Sequence, residues 1–213
     1  MSSSICAQKS NYPPVLADHQ FCETFYQPYR LAVQTAFAML CHARSLLRSD
    51  LGEETVQQMT FRLKSPQSIS GKLRKKKLPV SCDAASAALH DIAGLRVVLT
   101  SVSAVYRFAA LLTASPLAEF VSCRDYIAEP KQSGYQSLHL LMVVPVIDRG
   151  QHLLIPIEIQ LRTSQMDAWA VIDHEACYKP HRETESEDRC IAAAQSSMGI
   201  SFFSLDARRS IRS

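Results

Sequence analysis

Two strand-like segments joined by a short turn are the feature that most constrains the fold. Residues 136–146 and 152–162 are both predicted as strands, and an Asp-Arg-Gly turn lies between them. In the second segment, isoleucines and a leucine alternate with Glu158, Gln160 and Arg162. Because successive side chains of a strand point to opposite faces, this pattern predicts a β-hairpin with one buried face and one polar face.

The same reasoning predicts the other elements of the chain. Strands are expected over 57–64, 92–99 and 120–127, and helices over 18–49, 66–77, 83–90, 102–112, 164–178 and 184–197. A chain of 213 residues is long enough for one domain with a hydrophobic core. We therefore predict an α+β (mixed α/β) fold with about five strands in a mixed sheet flanked by helices. The lone tryptophan, Trp169, is expected in the core.

Composition excludes several classes of protein. A net charge of +3 is too small for a general coat on nucleic acid. The seven cysteines are scattered without C-x-x-C spacing, which predicts free thiols in a reducing compartment. No run of about 18 apolar residues and no leader pattern is found. The expected location is the cytoplasm, with no membrane partner.

The segment 62–77 carries seven lysines and arginines and no acidic residue. Arg62 and Lys64 share one face of the predicted strand, and Lys72 and Lys75 follow a turn of small residues at helical spacing. Cationic side chains beside a helix start suit a polyphosphate. A solvated basic helix, or a surface that docks the backbone of RNA, would show the same pattern.

Two carboxylates accompany this basic segment. Asp91 precedes the predicted strand 92–99, and Glu158 lies on the polar face of the hairpin. Carboxylates on neighbouring strands can hold Mg²⁺, with substrate phosphates completing its octahedron. A strand with a merely solvated polar face would look the same, so the metal site depends on the two strands being adjacent.

A third group lies between residues 126 and 139. Pro130 and Gly134 bracket a tight loop, and Lys131, Tyr135 and His139 lie in or beside it. A lysine can contact phosphate, a tyrosine offers a flat face to a base, and a histidine offers a hydrogen-bond donor. Each residue alone also fits an ordinary structural role, but their crowding within nine residues favours a binding loop.

Together these segments resemble the RelA/SpoT-type alarmone synthetases, and in size the small stand-alone members. The matching stretches are RLKSPQSISGKLRKK (62–76), DIAGLRVV (91–98), YIAEPKQSGYQSLH (126–139), EIQLRT (158–163) and MDAWAVIDHEACYK (166–179). They follow the family's order with similar spacing. Five motifs in register are far more specific than any one of them.

The resemblance implies a nucleotidyltransferase-like synthetase domain of the stringent response. Its reaction would transfer the β,γ-pyrophosphate of ATP to the 3′-hydroxyl of GDP or GTP, giving (p)ppGpp and AMP. The residues implied in ATP binding are Arg62, Lys64, Ser68, Lys72, Lys75 and Arg96. Those implied in binding the acceptor nucleotide are Lys131, Tyr135, His139 and Gln160. Asp91 and Glu158 would be catalytic and bind Mg²⁺, and Glu158 would also take the proton of the 3′-hydroxyl.

One departure from the family pattern leaves alternatives open. Ser133 stands where the family usually has an asparagine that contacts guanine. The same transfer to an adenosine nucleotide, or to the 3′ end of tRNA, therefore stays possible. A non-catalytic RNA-binding protein that uses Lys72–Lys77 is the alternative from another class.

The resemblance also predicts a domain organisation. Residues 1–17 are expected to be a flexible tail, and 18–198 the synthetase domain. Within that domain, 18–50 is a helix, 56–180 the catalytic core and 184–198 a C-terminal helix, and 199–213 forms a second tail. The length leaves no room for a hydrolase or regulatory domain, so synthesis alone is expected. Since small family members often form tetramers, a homotetramer is expected.

Overall fold

The computed structural model describes the backbone of residues 19–177 and the side chains of residues 23–172. Five strands form one sheet in the order β1-β2-β5-β4-β3. Their bounds are Val56–Leu63 (β1), Ala93–Leu99 (β2), Glu119–Asp125 (β3), Leu138–Asp148 (β4) and Gln151–Thr163 (β5). The central pair β2 and β5 is parallel and the other neighbours are antiparallel. The mixed α+β fold expected from the sequence is confirmed.

Five helices accompany the sheet. They are His19–Leu51 (α1), Pro66–Lys75 (α2), Cys82–Ala88 (α3), Val102–Thr113 (α4) and Ser164–Cys177 (α5). A serine precedes three of them, and its side-chain oxygen accepts a backbone N–H of the first turn; these are Ser65, Ser81 and Ser101. In α2 this cap is followed by proline at the first helical position, which holds the backbone ready for the helix.

The sheet has one apolar face and one polar face. The core comprises alternate residues of the central strands, such as Leu95, Ile159 and Leu140, together with apolar residues of α1 and α4. Helix α4 contributes Phe108, which is fully buried. Because side chains alternate along each strand, the remaining polar positions of β1, β2, β5 and β4 lie side by side on the opposite face.

Most predicted elements are confirmed within a few residues. The hairpin turn follows the expected chemistry, since Arg149 and Gly150 both have positive φ. The prediction for Trp169 is wrong, because this side chain is 47% exposed on α5. The expected tails and the C-terminal helix lie outside the described residues, and the division into domains stays a prediction. Within 19–177, the helices are too short or too polar to cross a bilayer.

Candidate active site

Strand register gathers the predicted residues into one groove. Arg62, Gly94 and Glu158 occupy the same level of β1, β2 and β5. A side chain at Gly94 would lie 3.9 Å from both the Arg62 side chain and the Glu158 carbonyl, so glycine leaves the floor open. One level along, Arg96 lies beside Gln160. The groove is lined by Thr60, Phe61, Arg62, Asp91, Gly94, Leu95, Arg96, Glu158 and Gln160.

Asp91 lies at one end of the groove, clamped by two lysines. Its Oδ2 is 2.8 Å from the Nζ of Lys64 and 2.6 Å from the Nζ of Lys72. Lys64 directly follows β1 and its backbone N–H donates to the carbonyl of Ile92, which holds it beside Asp91. Lys72 reaches the same oxygen from α2. The other oxygen, Oδ1, is buried without a hydrogen-bond partner.

The Asp91 carboxylate is ionised. Burial raises its pKa, but the hydrogen bonds and charges of Lys64 and Lys72 outweigh that effect and bring the pKa to about 2. A buried anionic oxygen without a partner is unfavourable unless a cation or donor meets it. Oδ1 therefore fits a metal ligand.

The other predicted ATP-binding residues lie around this cluster. Arg62 is exposed over the groove, and Arg96 lies 3.3 Å from Asp167. Ser68 is exposed in the first turn of α2, where its hydroxyl accepts from Ser65. Lys75 is exposed in the last turn of the same helix. The structure thus brings Arg62, Lys64, Lys72 and Arg96 to the groove, whereas Ser68 and Lys75 lie on the outer part of α2.

Glu158 has hydrogen-bond partners on both oxygens. Oε1 lies 3.1 Å from Nδ1 of His139, and Oε2 accepts from Nε2 of Gln160 at 2.8 Å. Burial raises the pKa of Glu158, but His139 and then Gln160 lower it, to about 2 overall. The negative charge of Asp91 opposes this lowering, so the two carboxylates are within electrostatic reach.

The loop before β4 forms the far end of the groove. Tyr135 is 9% exposed, its hydroxyl is 2.8 Å from Nε2 of His139, and Lys131 lies over its ring at 4.5 Å. Gly134 has φ +82°, and a Cβ there would come within 3.3 Å of the Trp169 ring. Nε1 of Trp169 also donates to the carbonyl of Ser133. Helix α5 therefore braces the loop from outside, which explains why Trp169 is not in the core.

Two residues of the site, Arg162 and Asp167, are assigned no role by the sequence patterns. Arg162 is 5% exposed and donates to the Tyr135 hydroxyl at 2.7 Å and to Oε1 of Gln160 at 2.8 Å. Asp167 pairs with Arg162 at 3.0 Å and with Arg96 at 3.3 Å. Strand period places Arg162 on the same face as Glu158 and Gln160, but nothing in the spacing of the residues indicates burial or these partners.

The arrangement provides hard oxygen ligands and positive charge in one place. Asp91 and Glu158 are both anionic and both line the groove. Among the described residues, no group of three or more histidines, cysteines or carboxylates is placed to hold a metal. Magnesium is commonly held by one or two carboxylates together with substrate phosphates, and these two residues fit that pattern.

Comparison with known proteins agrees with this site. A family model described as a region found in RelA / SpoT proteins matches residues 61–183. This chain therefore belongs to the RelA/SpoT family. It is 35% identical over 164 residues to the GTP pyrophosphokinase YjbM of Bacillus subtilis (strain 168), covering 76% of this chain and 75% of that protein.

Solved structures show the same relationship. The small alarmone synthetase 1 of Bacillus subtilis bound to its product pppGpp has a TM-score of 0.68 and 32% identity, over 85% of this chain and 92% of that chain. The same synthetase bound to AMPCPP has a TM-score of 0.63 and 30% identity, over 84% and 90%. The predicted family and fold are confirmed.

Proposed function

We propose that this protein is a GTP pyrophosphokinase that makes (p)ppGpp. The 3′-hydroxyl oxygen of GDP or GTP attacks the β-phosphorus of ATP, the bond from that phosphorus to the α-phosphate oxygen breaks, and AMP leaves. The observation that carries the proposal is the pair of ionised carboxylates, Asp91 and Glu158, in one groove with the Lys64 and Lys72 ammonium groups. Family membership and a relative that binds pppGpp support it.

The donor end of the groove suits ATP. Phosphoryl transfer needs alignment and charge neutralisation more than covalent chemistry from the protein. Lys64 and Lys72 share one oxygen of Asp91, and the triphosphate would take over both cations, with Ser68 and Lys75 contacting it from α2. The guanidinium planes of Arg62 and Arg96 would hold the adenine between them.

A magnesium ion fits beside these residues. Oδ1 of Asp91 and the carboxylate of Glu158 would hold it, and when bound it neutralises charge on the transferring phosphates. The partners of both carboxylates more than offset the effect of burial on their pKa values, so both stay anionic at neutral pH, as metal ligands must be. Glu158 also lies where the acceptor is expected and would take the proton of the 3′-hydroxyl.

The acceptor end provides a ring and two nitrogen donors. Tyr135 would stack on the base, Lys131 would contact the phosphates, and Gln160 would orient the acceptor. Both ring nitrogens of His139 meet Tyr135 and Glu158, so His139 would act on the acceptor through Glu158. Lys131 now lies over the Tyr135 ring, 4.5 Å from its centroid. Stacking of a base on this face would displace the ammonium from the ring and leave it available for the acceptor phosphates.

A product assay tests the proposal. The protein is incubated with ATP and Mg²⁺ and, separately, with GDP, GTP, ADP or tRNA, and the products are separated by thin-layer chromatography and mass spectrometry. We expect AMP and a 3′-pyrophosphorylated guanosine nucleotide, and none of either with Glu158→Gln. No AMP with any acceptor would contradict the proposal.

Acceptor choice is the second outcome of that assay. Ser133 has no side-chain amide, and its carbonyl oxygen accepts from Trp169. Transfer to ADP or tRNA but not to GDP would show that the chain performs the family reaction on another acceptor.

We also propose two further partners, other copies of this chain and RNA. Exposed apolar residues support a homotetramer, to be checked by light scattering; they are Phe120, Val121, Trp169, Val171 and Ile172. The exposed run from Arg74 to Lys77 supports a contact with RNA. Salt-sensitive RNA affinity that survives Glu158→Gln, in a protein that releases no AMP, would favour the non-catalytic alternative.

A further inference from the structure

Two chains of hydrogen bonds connect the two oxygens of Glu158 to one side chain, that of Arg162. In one chain, Arg162 donates to the Tyr135 hydroxyl at 2.7 Å, that hydroxyl lies 2.8 Å from Nε2 of His139, and Nδ1 lies 3.1 Å from Oε1 of Glu158. In the other, Arg162 donates to Oε1 of Gln160, and Nε2 of Gln160 donates to Oε2 of Glu158, each at 2.8 Å. Two residues therefore separate Arg162 from Glu158 in the first chain, and one residue separates them in the second.

The guanidinium sets the direction of both chains because it can only donate. The Tyr135 oxygen accepts from Arg162, so its single proton is directed to Nε2 of His139. With Nε2 accepting, the proton of a neutral His139 is on Nδ1, which then donates to Glu158. Likewise, the carbonyl end of Gln160 must face Arg162, so its NH₂ end faces Glu158.

Arg162 itself is firmly held. It is 5% exposed, and its charge is met by Asp167 at 3.0 Å. Its Nε donates to Ser137 at 3.4 Å, and its Cζ lies 5.1 Å from the centre of the Tyr135 ring. A buried guanidinium with these partners has little freedom to turn, so it can act as a fixed reference for the groups in front of it.

We propose that Arg162 is a positioning residue that orients Glu158 through Tyr135 and His139 on one side and through Gln160 on the other. It is buried and is not among the residues that line the groove. Its effect on catalysis rests on the proposed function, since Glu158 is the group that faces the 3′-hydroxyl. The order of donors and acceptors is a property of the free protein and can be observed without any reaction.

The first test is nitrogen-15 NMR of the histidine side chains in the free protein. Spectra are recorded above the pH at which imidazoles are protonated, and His139 is assigned with His139→Gln. We expect a neutral His139 with its proton on Nδ1. A proton on Nε2 would overturn the proposal whatever the protein catalyses, so this outcome is separate from failure of the proposed function.

The second test is kinetic. Partners behind a metal ligand commonly contribute about 10- to 100-fold in activity, and we expect a loss of that size in kcat for Arg162→Lys, with little change in the KM for ATP. Arg44→Lys is the matched control, because Arg44 also pairs with a carboxylate, Glu54, but lies away from the groove. An unchanged kcat in a folded Arg162→Lys protein would overturn the proposal.

Two single variants cover the case in which Arg162→Lys does not fold, and a double-mutant cycle adds to them where it does fold. Tyr135→Phe keeps the ring and removes the hydroxyl, and Gln160→Leu cuts the second chain. If each chain holds one oxygen of Glu158, each variant lowers kcat, and Arg162→Lys costs less in the Tyr135→Phe background than in the wild type. If neither Tyr135→Phe nor Gln160→Leu lowers kcat, the hydrogen-bond chains do not position Glu158. The same conclusion follows if the fold-losses of Arg162→Lys and Tyr135→Phe multiply in full in the double variant, because the two residues then act independently.

Discussion

The two ends of the groove hold their carboxylates in different ways. At the donor end, one oxygen of Asp91 receives two lysine ammonium groups and the other has no partner. At the acceptor end, each oxygen of Glu158 has one partner, His139 or Gln160. Charge-assisted hydrogen bonds from two flexible ammonium groups hold Asp91, whereas hydrogen bonds from an imidazole ring and an amide hold Glu158. We infer that the donor end can exchange its partners for phosphates, while the acceptor end is in place before substrate arrives.

One partner of Asp91 is more exposed than the guanidinium behind Glu158. The side chain of Lys72 is 40% exposed, and an ion pair of that kind contributes about 0–1 kcal/mol, so an incoming triphosphate can replace it. The Arg162 side chain is 6% exposed, and removal of one partner from a buried pair costs about 3–5 kcal/mol. Substitutions at the two ends of the groove should therefore differ in their effects on activity, which we expect to be largest for Glu158→Gln.

Glu158→Gln is expected to lower kcat by about 10³-fold or more, because it removes both a metal ligand and the proton acceptor. Raising the Mg²⁺ concentration should not restore the rate, since the amide cannot accept the proton. Initial rates of AMP release measure the effect. Glu54→Gln, which changes a carboxylate paired with Arg44 outside the groove, serves as control. A Glu158→Gln enzyme that Mg²⁺ restores to full rate would show that this residue is a ligand only.

Lys72→Met is expected to raise the KM for ATP by about 10- to 100-fold, the range for loss of one charge-assisted contact with phosphate. The KM for GDP should stay near the wild-type value, because Lys72 belongs to the donor end. Lys76→Met, in the same basic run but exposed, is the control. Equal changes in both KM values would break the division of the groove into two ends.

Gly134→Ala is expected to raise the KM for the acceptor several-fold and that for ATP little. Both Gly134 and Gly150 have positive φ, so alanine strains the backbone by about 1 kcal/mol at either position. Only at Gly134 does the new Cβ meet the Trp169 ring, at 3.3 Å, and Gly150 has open space around it. Gly150→Ala is therefore a matched control. If both variants bind the acceptor alike, the contact with Trp169 does not shape the loop.

The stability of the free protein should depend on pH through Asp91. Its pKa falls from 3.8 to about 2 on folding, so its stabilising contribution is complete above 3.8 and is lost as the pH falls through 2. Because the group is partly exposed, solvent screening reduces the corresponding change in the free energy of unfolding to about 1 kcal/mol. Urea denaturation between pH 5 and 2 measures it, and Asp91→Asn should remove the Asp91 part of the profile, whereas Glu158, whose pKa is also lowered from 4.5 to about 2, should keep its own part.

Salt should then separate the two carboxylates. The lysines that hold Asp91 are charged and partly exposed, so added salt should weaken its contribution more than that of Glu158, whose partners are an imidazole ring and an amide. The measurement is the difference in the free energy of unfolding between the wild type and each variant, Asp91→Asn or Glu158→Gln, at low and high salt. Equal salt dependence of the two differences would contradict the contrast between the two carboxylates.

Local patterns in the sequence predict a large part of the fold and of the candidate site. Alternation in 152–162 predicts both the buried face of β5 and the common side of Glu158, Gln160 and Arg162, because strand period depends only on backbone geometry. Motifs in order predict the family and the fold, which the comparisons confirm, and the synthesis of (p)ppGpp, which the relatives support. The roles of the individual binding residues stay predictions.

Tertiary structure decided what depends on contacts between distant segments. The parallel pairing of β2 with β5 brings Asp91 and Glu158 into one groove, although they are far apart in the sequence. The exposure of Trp169 and the burial of Arg162 depend on where α5 lies against the loop at 130–135. Periodicity reports which way a side chain points, but its burial and partners depend on what packs against it, and only the folded chain provides that.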